Sequence, residues 1–304
     1  MAPTTASDRK TAIITGSTSG IGLDLARDLR AKGWNVAISG RREPCKGEEI
    51  AKSIDETGEA ALYCRADVSV YADQAELFRQ AWAKWGRLDL FVANAGIVDE
   101  GPTSRYNLLR KDAAVDDVPP EPKLGCSDVN FKGVVYGTEL AQHYMRHNKP
   151  KRGGKIIVTG SIAGLFPLPT YPEYSSAKAA VSQWVRVMAP MLKLHDDITI
   201  NCVLPNGYDT AILPGFKEAY LDEHLTKRDC MMRAYFIFID DEENSQTGQN
   251  VETAYDSLYF HERPAAKNEV VKRTEKVYEP WFEYAHGARS GLETAIKAPM
   301  RTGV

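Results

Sequence analysis

Cysteines and long hydrophobic runs are scarce in this chain of 304 residues. The five cysteines are an odd number without a CxxC pair, so we predict neither a disulfide framework nor a metal site. No run approaches the ~18 consecutive apolar residues of a membrane-spanning helix, and the N-terminal segment lacks the apolar core of a signal peptide. These absences favour a cytoplasmic protein that does not associate with a membrane.

An excess of charge of one sign is also missing. The net charge is −3, which indicates no basic surface for nucleic acid or for an anionic membrane. Hydrophobic residues make up 43% and charged residues 26% of the chain, values that exclude the disordered and fibrous classes. The sequence therefore predicts an ordinary globular protein that has no nucleic acid as a partner.

Short apolar segments alternate with helical patterns along most of the chain. We interpret as strands the segments 11–14, 36–39, 61–67, 88–93, 156–158 and 198–204. This alternation predicts an α/β fold with a Rossmann-type doubly wound parallel sheet. We assign residues 9–260 to that domain, with a substrate lid near 207–246, and residues 261–304 to a C-terminal extension.

A glycine-rich turn joins the first predicted strand to the first helix. Gly16, Gly20 and Gly22 are spaced Gly-x-x-x-Gly-x-Gly directly after that strand. Glycines in this context permit a tight turn, let main-chain N–H groups approach a pyrophosphate, and aim the positive helix N-terminus at it. We therefore favour phosphate binding, with a purely structural strand–helix connection as the alternative.

Charged residues stand at the ends of the second and third predicted strands. Arg41 and Arg42 occupy the place where a carboxylate would bind the adenosine ribose diol, and guanidinium groups pair well with phosphate. This charge pattern favours NADP over NAD; the alternative is that both arginines are solvated turn residues. Asp67 could accept a hydrogen bond from an adenine amine, or only cap the next helix with Ser69 nearby.

Tyr174 and Lys178 are four residues apart and lie one helical turn from each other. An ammonium a few ångströms from a phenol favours the phenolate and makes the tyrosine a usable acid–base group near neutral pH. Ser161 follows an apolar run, and its hydroxyl could donate to the same oxygen that the tyrosine protonates. A Tyr-x-x-x-Lys pair alone is more often a solvated helix surface, but the motifs upstream change that balance.

Six motifs in this order resemble the short-chain dehydrogenase/reductase family, over about Lys10 to Phe260. They are Thr15-Gly16-Ser17-Thr18-Ser19-Gly20-Ile21-Gly22, Asp67-Val68, Asn94-Ala95-Gly96, Val129-Asn130, Gly160-Ser161, and Tyr174 with Lys178. The resemblance implies that Tyr174 donates or accepts the proton and that Ser161 orients the substrate oxygen. It also implies that Lys178 holds the nicotinamide ribose and lowers the pKa of the tyrosine, while Asn130 positions a water in a proton relay.

The chain departs from the family pattern in several places. It is similar to members related to 15-hydroxyprostaglandin dehydrogenase, which typically use NAD, whereas the two arginines favour NADP. The usual Pro-Gly is Pro205-Asn206 here, and we expect the turn to persist because asparagine tolerates positive φ well. The gap before Asn130 and the tail beyond about residue 260 are both longer than usual. The predicted cofactor site consists of Gly16, Ser17, Thr18, Ser19, Gly20, Ile21, Gly22, Arg41, Arg42, Asp67, Val68, Asn94, Ala95, Gly96, Tyr174, Lys178, Pro205, Gly207 and Thr210.

The main hypothesis is an NADPH-dependent oxidoreductase that reduces a ketone or aldehyde of an apolar small molecule, with NAD(H) as the alternative cofactor. The alternatives are an NAD(P)-dependent secondary-alcohol dehydrogenase, and a non-redox cyclase, isomerase or cofactor-binding module on the same fold. We expect the pocket to be framed by residues 164–169, by the insertion before Asn130 and by residues 208–220. Members that resemble this chain include reductases of natural-product pathways.

Apolar residues spread around the helix that carries Tyr174. One stripe consists of Ala180, Trp184, Val187 and Met191, whereas Val181, Val185 and Met188 fall outside it. A surplus apolar face needs a second partner. We therefore expect a homodimer or homotetramer built through residues of roughly 130–148 and 174–193.

Overall fold

The computed structural model describes residues 9–99, 104–109, 114–210, 212 and 216–292. The chain divides into two units, residues 1–261 and 262–304. The strands of the first unit are β1 (Thr11–Ile14), β2 (Asn35–Gly40), β3 (Ala61–Arg65), β4 (Leu90–Ala93), β5 (Gly154–Thr159), β6 (Ile198–Pro205), β7 (Asn250–Ala254) and β8 (Ser257–Phe260).

These strands form one sheet in the order β3-β2-β1-β4-β5-β6-β7-β8. Neighbouring strands run parallel from β3 to β7, and β8 pairs with β7 in the antiparallel direction. The order reverses between β1 and β4, where the chain first winds to one side and then to the other. The predicted doubly wound parallel sheet is confirmed, and a ligand crevice is expected outside the strand ends at this reversal.

Helices connect the strands and cover both faces of the sheet. They are α1 (Gly20–Ala31), α2 (Pro44–Ile54), α3 (Tyr71–Trp85), α4 (Arg105–Leu109), α5 (Gly125–Ser127), a π-helical turn (Asp128–Lys132), α6 (Gly133–Met145), α7 (Pro172–Asp196), α8 (Phe216–Ala219) and α9 (Arg228–Ile239), with short 3₁₀ turns at Ile162–Gly164 and Asp222–His224. Helices α3, α6 and α7 bury one face of the sheet. Helices α1, α2 and α9 bury the other face, so the sheet lies between two layers of helix.

The face of α7 that packs on the sheet is not the stripe that the sequence singles out. Val181 and Val185 are fully buried in the core cluster, four residues apart. Val187 and Met191, which belong to the stripe, are 53% and 42% exposed. The helix therefore has an inner apolar face that the sheet covers and an outer apolar face that this subunit leaves in water.

In the second unit the structure describes Glu262 to Leu292. It contains α10 (Glu269–Thr274) and α11 (Glu279–His286). The buried Glu279 carboxylate accepts hydrogen bonds from the main-chain N–H of Ser290, at 2.9 Å, and from the hydroxyl of the same serine. These bonds tie the segment after α11 back to the start of that helix.

The described part of the chain has neither a membrane-spanning helix nor a cluster of metal-ligating side chains. No helix in it is long and apolar enough to cross a bilayer. No group of three or more His, Cys, Asp or Glu side chains is placed there so that it could hold a metal ion.

Candidate active site

A cavity of about 460 Å³ opens at the carboxyl ends of the strands, where the strand order reverses. One end is lined by Arg41 and Asp67, which follow β2 and β3, and the other end is lined by Tyr174 and Lys178 of α7. Between these ends the glycine-rich turn after β1 forms part of the wall. The cavity therefore has an arginine and an aspartate at the β2–β3 end and the tyrosine–lysine pair at the other end.

The glycine-rich turn leaves room for a phosphate because side chains would not fit there. Gly16 has φ +62°, and a Cβ added to it would lie 2.7 Å from the Cα of Ala95. A Cβ on Gly22 would lie 2.6 Å from Nδ2 of Asn94, so the turn and the end of β4 are in close contact. Ser19 precedes α1 without making a side-chain cap, which leaves the first N–H groups of the helix for a ligand. The turn fits the pyrophosphate of a dinucleotide cofactor.

The loop after β2 is held in place by side chains from β3. The Tyr63 hydroxyl lies 2.6 Å from the carbonyl of Arg42 and 3.1 Å from that of Gly40. Arg65 Nε reaches the carbonyl of Arg41 at 3.5 Å. Arg41 lines the cavity with an exposed guanidinium, so its charge is free to move toward a ligand there.

Asp67 both holds the turn before α3 and lines the cavity, so it is placed for either of the two roles considered from the sequence, helix capping and adenine binding. Its Oδ1 accepts hydrogen bonds from the N–H and the hydroxyl of Ser69, at 2.9 and 2.6 Å, so it holds the turn before α3. It also lines the cavity. Burial alone would raise the pKa of Asp67, but the Ser69 hydrogen bonds and the nearby Arg41 charge lower it, so the side chain is a carboxylate at neutral pH.

Tyr174 stands in the first turns of α7 and faces the cavity beside Ser161. The Ser161 oxygen accepts the N–H of Ala163 at 3.1 Å, which leaves its hydroxyl proton for the Tyr174 oxygen. Burial raises the pKa of Tyr174 above its usual value, and the hydrogen bond from Ser161 opposes that rise. The phenol therefore keeps its proton at neutral pH, whereas the sequence predicts a lowered pKa. The difference arises because burial outweighs the hydrogen bond from Ser161.

Lys178 lies under the tyrosine and is 3% exposed. Its Nζ donates to the carbonyl of Thr159 at 2.7 Å and lies 5.6 Å from the centroid of the Tyr174 ring. Burial lowers the pKa of Lys178 to about 8, so the ammonium is the main form at neutral pH. A positive charge is therefore held against the Tyr174 ring by the main chain of β5.

Asn130 lies in the π-helical turn between α5 and α6, and its side chain is fully engaged by the protein. Its Nδ2 donates to the carbonyls of Ile97, at 2.7 Å, and Cys126, at 3.0 Å, and its Oδ1 accepts from the Ile97 N–H at 3.2 Å. The structure thus places Asn130 as a clamp on the loop after β4. A Cβ on Gly96 would lie 2.8 Å from its Oδ1 and 3.5 Å from Lys178 Nζ, so the glycine brings these residues together.

Two buried or half-buried acids that the sequence does not single out hold the start of α7. The Asp99 carboxylate accepts the N–H groups of Glu173 and Tyr174, at 3.2 and 3.0 Å. The Glu173 side chain in turn accepts the N–H of Ser127 at 2.7 Å. This distant capping fixes the helix turn that carries the tyrosine. No local motif signals it, because Asp99 is far from α7 in the chain.

The turn after β6 differs from the expected one. Asn206 is not in the left-handed region; among the described non-glycine residues only Asp197, Asn244 and Tyr255 have positive φ. Its side chain instead accepts the N–H of Gly207 at 2.8 Å, and the carbonyl of Gly207 accepts the N–H of Thr226 at 2.6 Å. The turn persists, but for a different reason from the predicted tolerance of positive φ.

Most of the predicted site residues come together around the cavity. Those that line it are Gly16, Thr18, Ser19, Gly20, Ile21, Arg41, Asp67, Val68, Asn94, Ala95, Gly96, Ser161, Tyr174, Lys178, Pro205, Gly207 and Thr210. Ser17, Gly22, Arg42 and Asn130 are not part of its lining. The Ser17 hydroxyl is used within the fold, since it donates to the Ile14 carbonyl at 2.6 Å and accepts the Ser39 N–H at 3.0 Å.

The apolar end of the cavity differs from the predicted frame. Within 164–169 only Leu168 lines it, while Leu165 packs against the core and Phe166 is 55% exposed. Ile97 and Val98 of the segment before Asn130 line it, and so do Ile162 and Tyr171, which the sequence does not single out. From 208–220 the lining includes Tyr208, Thr210, Ile212 and Tyr220; positions 211 and 213–215 lie outside the described residues. Gly101 to Thr103 of the insertion and the tail from residue 293 also lie outside the described residues.

Comparisons with known proteins agree with this geometry. Residues 10–220 match the family model for short chain dehydrogenase. The chain is 43% identical over 297 residues to short-chain dehydrogenase/reductase prx6 of Penicillium rubens, covering 94% of this chain and 97% of that protein. It is 31% identical to elsinochrome reductase 1 of Elsinoe fawcettii, over 72% of this chain and 76% of that protein. A crystal structure of 3-ketoacyl-(acyl-carrier-protein) reductase from Brucella melitensis complexed with NADH superposes with a TM-score of 0.65 at 27% identity, covering 80% of this chain and 96% of that one.

Proposed function

Because the chain belongs to the short-chain dehydrogenase/reductase family, we propose that it reduces a ketone or aldehyde of an apolar small molecule with NADPH, with Tyr174 as general acid. It is an oxidoreductase acting on CH–OH or C=O groups and uses a nicotinamide cofactor. This sets aside the non-redox alternatives. The proposal adds the direction, the choice of cofactor and the class of substrate.

The position of Tyr174 in the cavity, beside Ser161 and over Lys178, supports the reductase direction. A group that must give a proton to a developing alkoxide has to hold that proton beforehand, and burial raises the pKa of Tyr174 in that sense. The Lys178 ammonium lies close enough to stabilise the phenolate that remains. Reoxidation of an alcohol would need the phenolate first, which this environment disfavours.

The catalytic steps that these residues can perform are few. The bound nicotinamide cofactor supplies the hydride. Ser161 directs its hydroxyl toward the phenol oxygen and can bind the carbonyl oxygen at the same place. Tyr174 then transfers its proton to that oxygen. Asn130 does not line the cavity. Its side chain holds the loop that contains Gly96 and Ile97 through hydrogen bonds to the main chain of Ile97.

The substrate end of the cavity supports a neutral, apolar compound. Its lining includes Ile97, Val98, Leu168, Tyr171 and Tyr220. The cationic side chains among the described lining residues are Arg41, at the opposite end, and Lys178, under the tyrosine. An anionic substrate would therefore lose its hydration without gaining a partner at that end.

A panel of carbonyl compounds tests this proposal. With NADPH at saturation, we expect turnover of neutral apolar ketones or aldehydes and a several-fold lower kcat/KM for analogues of the same size that carry a carboxylate. Consumption of NADPH, followed by absorbance, is the measurement, and alcohols with NADP⁺ are the comparison for direction. Faster oxidation of the alcohols at pH 7, or a preference for the anionic analogues, would contradict the proposal.

NADPH is the proposed cofactor because of the charge at the end of β2. Arg41 lines the cavity, and the main chain on both sides of it is held by Tyr63 and Arg65. Arg42 adds an exposed guanidinium group next to Arg41, whereas the exposed guanidinium of Arg65 lies 3.8 Å from the Glu43 carboxylate. Guanidinium groups pair with a 2′-phosphate, which NADH lacks.

Several finer assignments are part of the same proposal. Residues 9–260 form the catalytic domain and residues 261–304 an extension of it. We place the substrate lid before Arg228, because α9 has Met231, Tyr235 and Phe238 in the core.

A role in natural-product biosynthesis is supported by the likeness to elsinochrome reductase 1. The narrower similarity to members related to 15-hydroxyprostaglandin dehydrogenase stays a prediction, as does a cytoplasmic location.

A homodimer or homotetramer is proposed from the outer face of α7. Val187 and Met191 are exposed there in one subunit, together with Leu194 at 49%. Covering this face by the same face of a second copy would remove the apolar side chains from water. Sedimentation velocity at micromolar concentration is expected to show at least a dimer. A species near 33.7 kDa would contradict the proposal.

A further inference from the structure

Tyr235 of α9 is the largest of the fully buried side chains, and its hydroxyl is not left without a partner. The hydroxyl oxygen lies 2.7 Å from Oγ1 of Thr159, at the end of β5. Thr159 Oγ1 donates in turn to Oδ1 of Asn94, at 3.1 Å. A buried chain of polar groups thus joins α9 to the end of β4.

The direction of each hydrogen bond follows from the partners of Asn94. Its Nδ2 donates to the carbonyls of Thr15 and Gly16, at 3.0 and 3.1 Å, so its Oδ1 is the acceptor. The single proton of the Thr159 hydroxyl is therefore directed at Asn94. Tyr235 must then be the donor to Thr159, and burial, which raises the pKa of Tyr235, keeps that proton in place.

This series of hydrogen bonds ends at the start of the glycine-rich turn, because Asn94 donates to Thr15 and Gly16. Thr15 Oγ1 also accepts the main-chain N–H groups of Asn94 and Ala95, at 3.0 and 3.1 Å. Gly22 and Gly16 are in close contact with the same segment. The Asn94 amide thus helps to fix the carbonyls that begin the phosphate-binding turn. The carbonyl of Thr159, which binds Lys178, belongs to the sheet and does not depend on the hydroxyl.

We propose that Tyr235 is a positioning residue for cofactor binding, which acts through Thr159 and Asn94 on the carbonyls of Thr15 and Gly16. This inference rests on the use of a nicotinamide cofactor, but not on the preference for NADPH or on the substrate. The turn meets the part of the dinucleotide that NADH and NADPH share. Loss of the Tyr235 hydroxyl should therefore weaken the binding of NADH and of NADPH equally. It should leave the proton transfer at Tyr174 unchanged.

The test is a double-mutant cycle on the dissociation constant of the cofactor. Tyr235→Phe is expected to raise the Kd of NADPH and of NADH by about threefold, and Thr159→Val by about three- to tenfold, as for the loss of hydrogen bonds. The double variant should be no weaker than Thr159→Val alone, because the two hydroxyls act as one unit. Thr159→Ser keeps the hydroxyl and should bind as the wild type does. Quenching of cofactor fluorescence provides the Kd, and kcat of Tyr235→Phe at saturating cofactor should not change.

Tyr144→Phe is the matched control, since Tyr144 is a partly buried tyrosine of α6 outside the cavity lining and this hydrogen-bonded chain. It should leave both Kd values as they are. Unchanged Kd values in Tyr235→Phe, with only a lower melting temperature, would overturn the proposal, as would effects of Tyr235 and Thr159 that multiply. If Tyr235→Phe does not fold, equal Kd values for Thr159→Val and Thr159→Ser would overturn it instead. Failure to find a carbonyl substrate would leave these binding results standing.

Discussion

Tyr174→Phe is expected to lower kcat/KM for carbonyl reduction by about 10²–10⁴-fold, the usual contribution of a positioned general acid. The variant loses only the hydroxyl that Ser161 contacts and that carries the proton at neutral pH. The ring remains and still covers Lys178, so the cofactor site should persist. The measurement is NADPH consumption with a carbonyl substrate that the wild type turns over, together with the Kd of the cofactor.

Two features of this experiment separate a chemical effect from a structural one. The Kd of NADPH should stay close to that of the wild type, since the phenol proton contributes to the reaction step and not to the phosphate-binding turn. Tyr144→Phe removes a phenol hydroxyl from α6, outside the cavity lining, and should keep wild-type turnover. Wild-type turnover in Tyr174→Phe on the same substrate would show that another group provides the proton.

Removal of both arginines after β2 is expected to change cofactor choice by tenfold or more. A charge-assisted hydrogen bond contributes about 1.5–3 kcal/mol, so Arg41→Ala with Arg42→Ala should raise the Kd of NADPH at least tenfold. The Kd of NADH should change little, because NADH has no 2′-phosphate for these guanidinium groups. The ratio of the two Kd values, measured in the same buffer and salt, reports the effect.

A control with the same loss of charge is available on the neighbouring helices. Arg27 of α1 and Lys52 of α2 are exposed and do not line the cavity. Alanine at both positions removes two positive charges but should leave the ratio of Kd values unchanged. An unaltered ratio in the Arg41/Arg42 variant would refute the assignment of NADPH through these residues, and the reductase proposal would then need NADH as its cofactor.

The parts of the site that lie at strand ends could be predicted from the sequence. Parallel strands bring their carboxyl ends to one edge, so Gly16, Arg41 and Asp67 had to be neighbours once the strands were recognised. The Tyr174–Lys178 pair needs only the period of a helix. These predictions depend on local patterns and on one rule of topology, and the structure places all of these residues around one cavity.

Contacts between distant segments could not be predicted in this way. Asp99 caps α7 from a position 75 residues before Tyr174, and nothing in either segment announces the other. The sequence shows apolar residues around α7 but not which of them face the sheet, since that depends on how the helix is rotated. The raised pKa of Tyr174 likewise follows from its burial, which a spacing rule does not contain.

The π-helical turn at Asp128–Lys132 has a consequence for the rotational phase of the helices on either side of it. A π turn closes its hydrogen bond over five residues where an α turn uses four, so it contains one residue more than the helix around it. Each extra residue rotates the following side chains by about 100°. The helical phase before Asp128 therefore does not continue after Lys132. Deletion of one residue from this turn would therefore rotate the Asn130 side chain relative to α6 and turn its amide away from Ile97.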